Sequence, residues 1–174
     1  YLKLWDIDEQ GLVVPRSGNW RWFDHLWNVD EAVLENCLYL AAAKYAAKMA
    51  QILDCHEYDE FLQTRIEILS ASIEKHFWKK DHYTSGMFVD DRANAIALLC
   101  GICPKERYPA IRKVLLSVFN ATPYMERFVL MALCEMGYVR DAYNRMMSRY
   151  YNLAVNENST LWEDFYILGT KNHA

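Results

Sequence analysis

Residues 122–137, TPYMERFVLMALCEMG, contain a start, a face and a stop for one helix. Thr122 reads as the N-cap and Pro123 as the first helical residue, where a proline gives up no needed amide and its fixed φ already suits the helix. Phe128, Val129, Ala132, Leu133 and Met136 then recur at three-to-four spacing and form one apolar face. Gly137 supplies the left-handed residue on which helices commonly end.

The same grammar extends outward in both directions. Just upstream, Ala93, Ile96, Ala97 and Cys100 stop at Gly101, and Pro104 opens a run carrying Tyr108, Ile111, Leu115 and Val118. Before these come Leu62, Ile66, Leu69, Ile73 and Phe77, with Thr84-Ser85-Gly86 as the breaking turn. The longest run is Leu34, Leu38, Ala41, Ala42, Tyr45, Met49 and Ile52, predicted to be the packed face of one long helix. Asn28 followed by Glu31 reads as its capping box, with Asn in place of the usual hydroxyl residue. Downstream, a sixth run spans about Asp141 to Tyr151, where Met146-Met147 and the other Met and Tyr stripes read as core packing.

Helix after helix with short links makes successive helices antiparallel neighbours. An all-α fold of six or seven paired helices follows, as a bundle, an α-solenoid or an arc of a double-ring α/α barrel. The lack of a fixed-period repeat weighs against the solenoid. Residues 1–174 read as a single all-α domain, opened by an irregular segment, 1–28, that holds Trp5, Trp20, Trp22 and Trp27. So many aromatics in loop-like sequence imply either packing against a further domain or a platform for a sugar.

Composition narrows the function classes. Of 174 residues, 53% are hydrophobic and 14% aromatic, so the chain can fill a core. Six Gly and four Pro suit long helices better than a β-sandwich. The formal charge is −4 with no basic stripe, which argues against nucleic acid as a partner. No apolar run approaches the ~18 residues of a spanning helix, which argues against a membrane partner. Cys37, Cys55, Cys100, Cys103 and Cys134 are odd in number, and four lie in or at the ends of helical patterns, so a disulfide framework is not expected. Such cysteines leave the compartment open. Cys100-x-x-Cys103 has metal spacing but lacks two further ligands nearby, and no other ligand cluster appears, so no metal or other cofactor is expected. Asp90-Asp91 reads either as paired carboxylates or, more simply, as the N-cap of the next helix.

One segment carries chemistry. In 159–174, STLWEDFYILGTKNHA, Trp162 and Glu163 follow a polar loop near a candidate helix start. An indole beside a carboxylate desolvates it and raises its pKa toward the acid–base range. The plainer reading is a first-turn Glu stabilised by the helix dipole. Residues alone do not separate the two.

This segment resembles the signature of glycoside hydrolase family 78, the α-L-rhamnosidases, in which a Thr-Thr-x-Trp-Glu element precedes a Gly-Ser-x-Asn-His element. Here they stand as Ser159-Thr160-Leu161-Trp162-Glu163 and Gly169-Thr170-Lys171-Asn172-His173, with a short gap between them. Gly18-Asn19-Trp20 is similar to the family's Gly-Asp-Trp, and Asp90-Asp91-Arg92-Ala93-Asn94-Ala95 to its Asp-x-Gln-x-Ala, with Arg for Gln. Thr122-Pro123-Tyr124 and Met136-Gly137-Tyr138 also fit, so the resemblance runs from about Gly18 onward.

The resemblance implies an (α/α)6 barrel and an inverting mechanism. One carboxylic acid protonates the leaving oxygen while a second carboxylate, roughly 6.5–9.5 Å away, activates water on the opposite face. It implies Glu163 as that base. The acid's motif is missing from these residues and is expected before Tyr1, in a longer chain. The isolated piece, half of a barrel with one of two catalytic groups, is therefore expected to be inactive. Exposed apolar surface left at its edges is expected to make it self-associate or be marginally stable. Trp162 and Trp20 are candidates for stacking on the sugar. Asn172 and His173 are candidates for binding its hydroxyls, with Asp24 behind Trp20. The implied partners are a rhamnosyl glycoside and the remaining domains of the parent chain, a periplasmic or secreted bacterial enzyme. The departures at Asn19 and Arg92 leave room for another sugar, and a non-catalytic helical scaffold is the alternative from a different class.

Overall fold

The computed structural model describes residues 1–14, 23, 28–86, 88–154 and 164–165. Six α-helices carry the fold: α1 (Glu31–Ile52), α2 (Asp59–Phe77), α3 (Asp91–Leu99), α4 (Tyr108–Ser117), α5 (Pro123–Glu135) and α6 (Val139–Ala154). Among the described residues no helix is long and apolar enough to cross a membrane.

The helices form three antiparallel hairpins in two layers. The short α3 packs between α1 and α5, while α2 lies against α1, α4 against α3 and α6 against α5. The inner layer is thus α1, α3 and α5, and each following helix covers its predecessor from outside. This is the arc of an α/α barrel, the one of the three architectures that the family resemblance implies. Every residue of α3 from Asp91 to Leu98 is buried, as suits the central strut of the layer.

Local signals explain most boundaries. Gly101 (φ 74°) and Gly137 (φ 86°) end α3 and α5 as expected. Pro123 opens α5 behind Thr122, although the Thr122 side chain makes no capping bond. Pro104 begins a 3-10 turn, Lys105–Arg107, and α4 follows it. The face Leu62, Leu69, Ile73 and Phe77 of α2 is buried.

Four expectations are corrected. The cap of α1 is Asp30, whose Oδ1 accepts the Val33 amide at 3.3 Å, whereas Asn28 stands outside the helix at φ 58°. Next, α1 buries only part of the predicted face: Leu34 is in the core and Ala41 packs against it, but Val33, Cys37, Leu40 and Ala43 make up the rest of the buried side. Leu38, Tyr45, Met49 and Ile52 are 37%, 65%, 56% and 74% exposed. The helix is apolar on both sides, and periodicity finds stripes without saying which one meets a neighbour. Third, α2 ends at Phe77, where its apolar run ends, but Thr84-Ser85-Gly86 is not what stops it. A small antiparallel hairpin follows, β1 (Trp78–Lys79) on β2 (His82–Tyr83), turning at Lys80 with φ 55°. Strands of two residues are too short to show alternation. Last, Met146 and Met147 are 38% and 39% exposed. They line an open apolar groove of about 570 Å³ between α5 and α6, with Pro123, Tyr124 and Leu130.

The opening segment is fastened to the first hairpin. The Val13 amide donates to Asn36 Oδ1 at 2.8 Å, and the Tyr39 hydroxyl donates to the Leu2 carbonyl at 2.7 Å. Gly11, at φ 77°, lies so close to α2 that a Cβ would stand 2.4 Å from Ser72 Oγ. All five cysteines are free thiols.

Candidate functional site

The inner helices begin at one end of the layer, and the chain has placed its buried charges there. Asp90 caps α3, its Oδ1 accepting the Arg92 amide at 3.0 Å. Its Oδ2 accepts the amide of Asp30, the cap of α1, at 2.9 Å. Asp30 in turn accepts the Ser85 amide at 2.7 Å. Two helix starts are thereby tied directly to each other, with their positive dipole ends side by side.

Arg92 completes this corner. It is wholly buried, with Nε donating to Asp90 Oδ1 at 2.8 Å and a terminal nitrogen donating to the Asn28 carbonyl at 2.7 Å. Burial pushes the Asp90 carboxyl up to about 6, against the pull of Arg92 and the Asp30 amide. A long cation therefore occupies the position where the resembling family has glutamine, and its charge is answered at once by the preceding carboxylate.

The start of α5 is tied in by α6. Arg145 Nε donates to Glu126 Oε1 at 2.5 Å, and one terminal nitrogen reaches Glu126 Oε2 at 2.8 Å and Asp91 Oδ2 at 2.6 Å. The other terminal nitrogen donates to the carbonyls of Leu115 and Val118. Asp91 also accepts the Asn120 amide at 3.2 Å. Burial works against the charge of Arg145, yet Glu126 and Asp91 outweigh it and hold its pKa above the usual value. Asp90 and Asp91 are thus fully engaged as cap and ion-pair partners. The simpler sequence reading, a cap at Asp90, holds.

One turn on along α6, Arg149 donates to the Ala121 carbonyl at 2.5 Å and stands 3.4 Å from Glu126 Oε2. Its guanidinium lies 4.0 Å from the centre of the Phe165 ring and 5.5 Å from that of Phe119. Tyr150 meets Phe165 edge-on at 5.0 Å and donates its hydroxyl to the Pro123 carbonyl at 2.9 Å. Asp164 is 3% exposed. The two residues after Glu163 are therefore seated against the start of α5 and the end of α6, at the end of the layer where the inner helices begin.

The sequence-predicted site residues, Glu163, Trp162, Trp20, Asp24, Asn172 and His173, lie outside the described residues. Sequence reasoning missed Glu126, Arg145, Arg149 and Phe165. The available signal was Arg145 and Arg149 one helical turn apart beside an apolar stripe, since a helix face that packs does not usually carry two unanswered cations. Among the described residues no group of three or more metal-ligating side chains comes together, and Cys100 and Cys103 are both buried.

Residues 12–173 match the family model described as the bacterial alpha-L-rhamnosidase 6 hairpin glycosidase domain. The chain belongs to this family. No curated protein matches it at a significant level. Among solved structures it is similar to the GH78 family rhamnosidase of Bacillus sp. GL1, with a TM-score of 0.74 and 20% identity over 91% of this chain and 18% of that one. It is also similar to a rhamnosidase from Klebsiella oxytoca solved with rhamnose bound, with a TM-score of 0.69 and 15% identity over 84% of this chain and 30% of that one. At such identities the likeness is one of fold, and the chain spans less than a third of either enzyme. Within the six-hairpin domain family, the three hairpins described here are a contiguous arc, and the matched span includes the Trp162-Glu163 and Asn172-His173 elements.

Proposed function

We propose that this domain is part of a glycoside hydrolase that removes terminal α-L-rhamnose with inversion, and that Glu163 is its general base. In this reading Glu163 takes a proton from water as the water attacks the anomeric carbon. A carboxylic acid outside these 174 residues protonates the departing oxygen on the opposite face as the glycosidic bond breaks. Trp162 and Trp20 stack on the apolar face of the sugar, Asn172 and His173 bind its hydroxyls, and Asp24 supports Trp20. Residues 1–174 act as one all-α unit with the tryptophan-rich segment 1–28 as its irregular entry, and the rest of the parent chain supplies the other catalytic group.

The observation that carries the proposal is the seating of Asp164 and Phe165. The residues directly after Glu163 lie at the end of the layer where the inner helices start, and positive helix ends gathered there favour an anionic group. Family membership supplies the substrate class, and the buried Arg92 leaves the choice among related sugars to experiment.

The test is an assay of the polypeptide that carries this domain, on p-nitrophenyl α-L-rhamnoside and a panel of other aryl glycosides, with Glu163→Gln in parallel. Cleavage of the rhamnoside with about a hundredfold or greater loss in the variant is expected. Cleavage of a different glycoside with the same loss would overturn the sugar. An unaffected variant would overturn the base. The 174-residue chain alone, lacking the acid, is expected to turn over none of them.

A further inference from the structure

The contacts around Phe165 point past the carboxylate itself to what holds it. Arg149 is fixed from the α5 side, by the Ala121 carbonyl at 2.5 Å and by Glu126 at 3.4 Å. On its faces lie two rings, Phe165 at 4.0 Å and Phe119 at 5.5 Å. Phe165 is also met by Tyr150, whose hydroxyl is tied to the Pro123 carbonyl. Both anchors of Phe165 are therefore themselves bonded to the start of α5, and that start is locked to α3 through Glu126, Arg145 and Asp91. The chain runs from this clamp back to Glu163 in two residues.

We propose that Arg149 and Phe165 are positioning residues for the reaction, a cation–ring clamp that sets where the Glu163 carboxylate stands. The inference rests on the reading of Glu163 as the base. Ordinary apolar burial would be met by any side chain of suitable size, but this arrangement uses a planar guanidinium that stacks and donates at once. Lysine cannot do both. Two residues of chain span at most about 7 Å, so Glu163 is held on a short tether to the ring. A misplacement near 1 Å at a reacting group can cost about a hundredfold in rate.

The experiment uses the full polypeptide carrying this domain, with Phe165→Leu, Phe165→Tyr, Arg149→Lys and Glu163→Gln assayed together on the aryl rhamnoside. Phe165→Leu and Arg149→Lys are expected to lower kcat by about tenfold or more and to raise KM by less than they lower kcat, because a base must be placed more closely than the Trp162 ring that stacks on the sugar. The acid limb of the kcat/KM profile, which reports the base, is expected to move with them. Phe165→Tyr keeps the ring and is expected to restore kcat to within about threefold of the parent. Wild-type kcat in both Phe165→Leu and Arg149→Lys, with only a lower melting temperature, would overturn the clamp while a dead Glu163→Gln left the base in place. Equal loss in Phe165→Tyr and Phe165→Leu would also overturn it. An active Glu163→Gln would remove the base reading and this inference with it.

Discussion

Arg145 is surrounded by acceptors: two carboxylates and two backbone carbonyls from α3, α4, α5 and the link between them. Such a residue contributes less to net stability than its bonds suggest, because its own desolvation is costly. Its removal is another matter. Arg145→Met would leave Asp91 buried without its cation and Glu126 with only Arg149 at 3.4 Å, and a loss of about 3–5 kcal/mol is expected in denaturant unfolding. A loss under about 1 kcal/mol would mean that water or Arg149 takes over the pairing. Asp90 gives a second test with a definite sign. Its folded pKa of about 6 lies above the ordinary carboxylate value, so the folded state holds a proton that the unfolded chain has released. Its contribution is greatest below about pH 4 and is lost as pH rises through 6. Relative to Asp90→Asn, the wild type is expected to lose up to about 3 kcal/mol over that interval. Parallel pH profiles for the two proteins would contradict it. None of these pairings was legible in order along the chain: Glu126 and Arg145 are 19 positions apart and Asp91 and Arg145 are 54 apart, and no local pattern links them.

At the scale of the element, α1 is the instructive case. Its existence, length and register were legible from the spacing of its apolar residues, but the face was not. Leu38, Ala42, Tyr45, Met49 and Ile52 stand four, three, four and three apart on the exposed side, the spacing of a helix–helix seam. A seam of that kind left open to water favours association. The 174-residue chain is expected to sediment as an oligomer at tens of micromolar, and Met49→Lys with Ile52→Lys is expected to return it to monomer with unchanged melting temperature. A monomeric wild type, or a double variant that melts lower, would show that the stripe is either tolerated by water or already buried. The ends of α3 and α5 were more legible, because Gly101 and Gly137 supply the left-handed residue at which each stops. The β1–β2 hairpin was not, since four paired residues hold too little pattern to compete with the helical period before them.

At the scale of the molecule, the three hairpins and their short links followed from periodicity, whereas the choice of an arc over a bundle came only from the family motifs. That choice depends on which helix meets which, and it is settled by α3 lying between α1 and α5. The candidate site divides in the same way. Glu163 was picked out by a motif, because nothing in the spacing of one Trp-Glu pair separates a base from a first-turn Glu. The clamp of Arg149 on Phe165 needed the fold to bring α6 beside that motif.

The burial of α3 has a consequence for how this arc comes together. At nine residues α3 is shorter than a helix that persists alone in water. Its last carbonyls are answered from another helix, Lys44 donating to Cys100 at 2.7 Å and to Gly101 at 3.3 Å, just as its first turn is answered from α6. The middle hairpin thus borrows its order from both neighbours. In a stack of self-sufficient repeats, a terminal unit can fray while the rest stands. Here neither outer hairpin can peel away without taking a partner of α3 with it, so the arc is expected to open as one foldon.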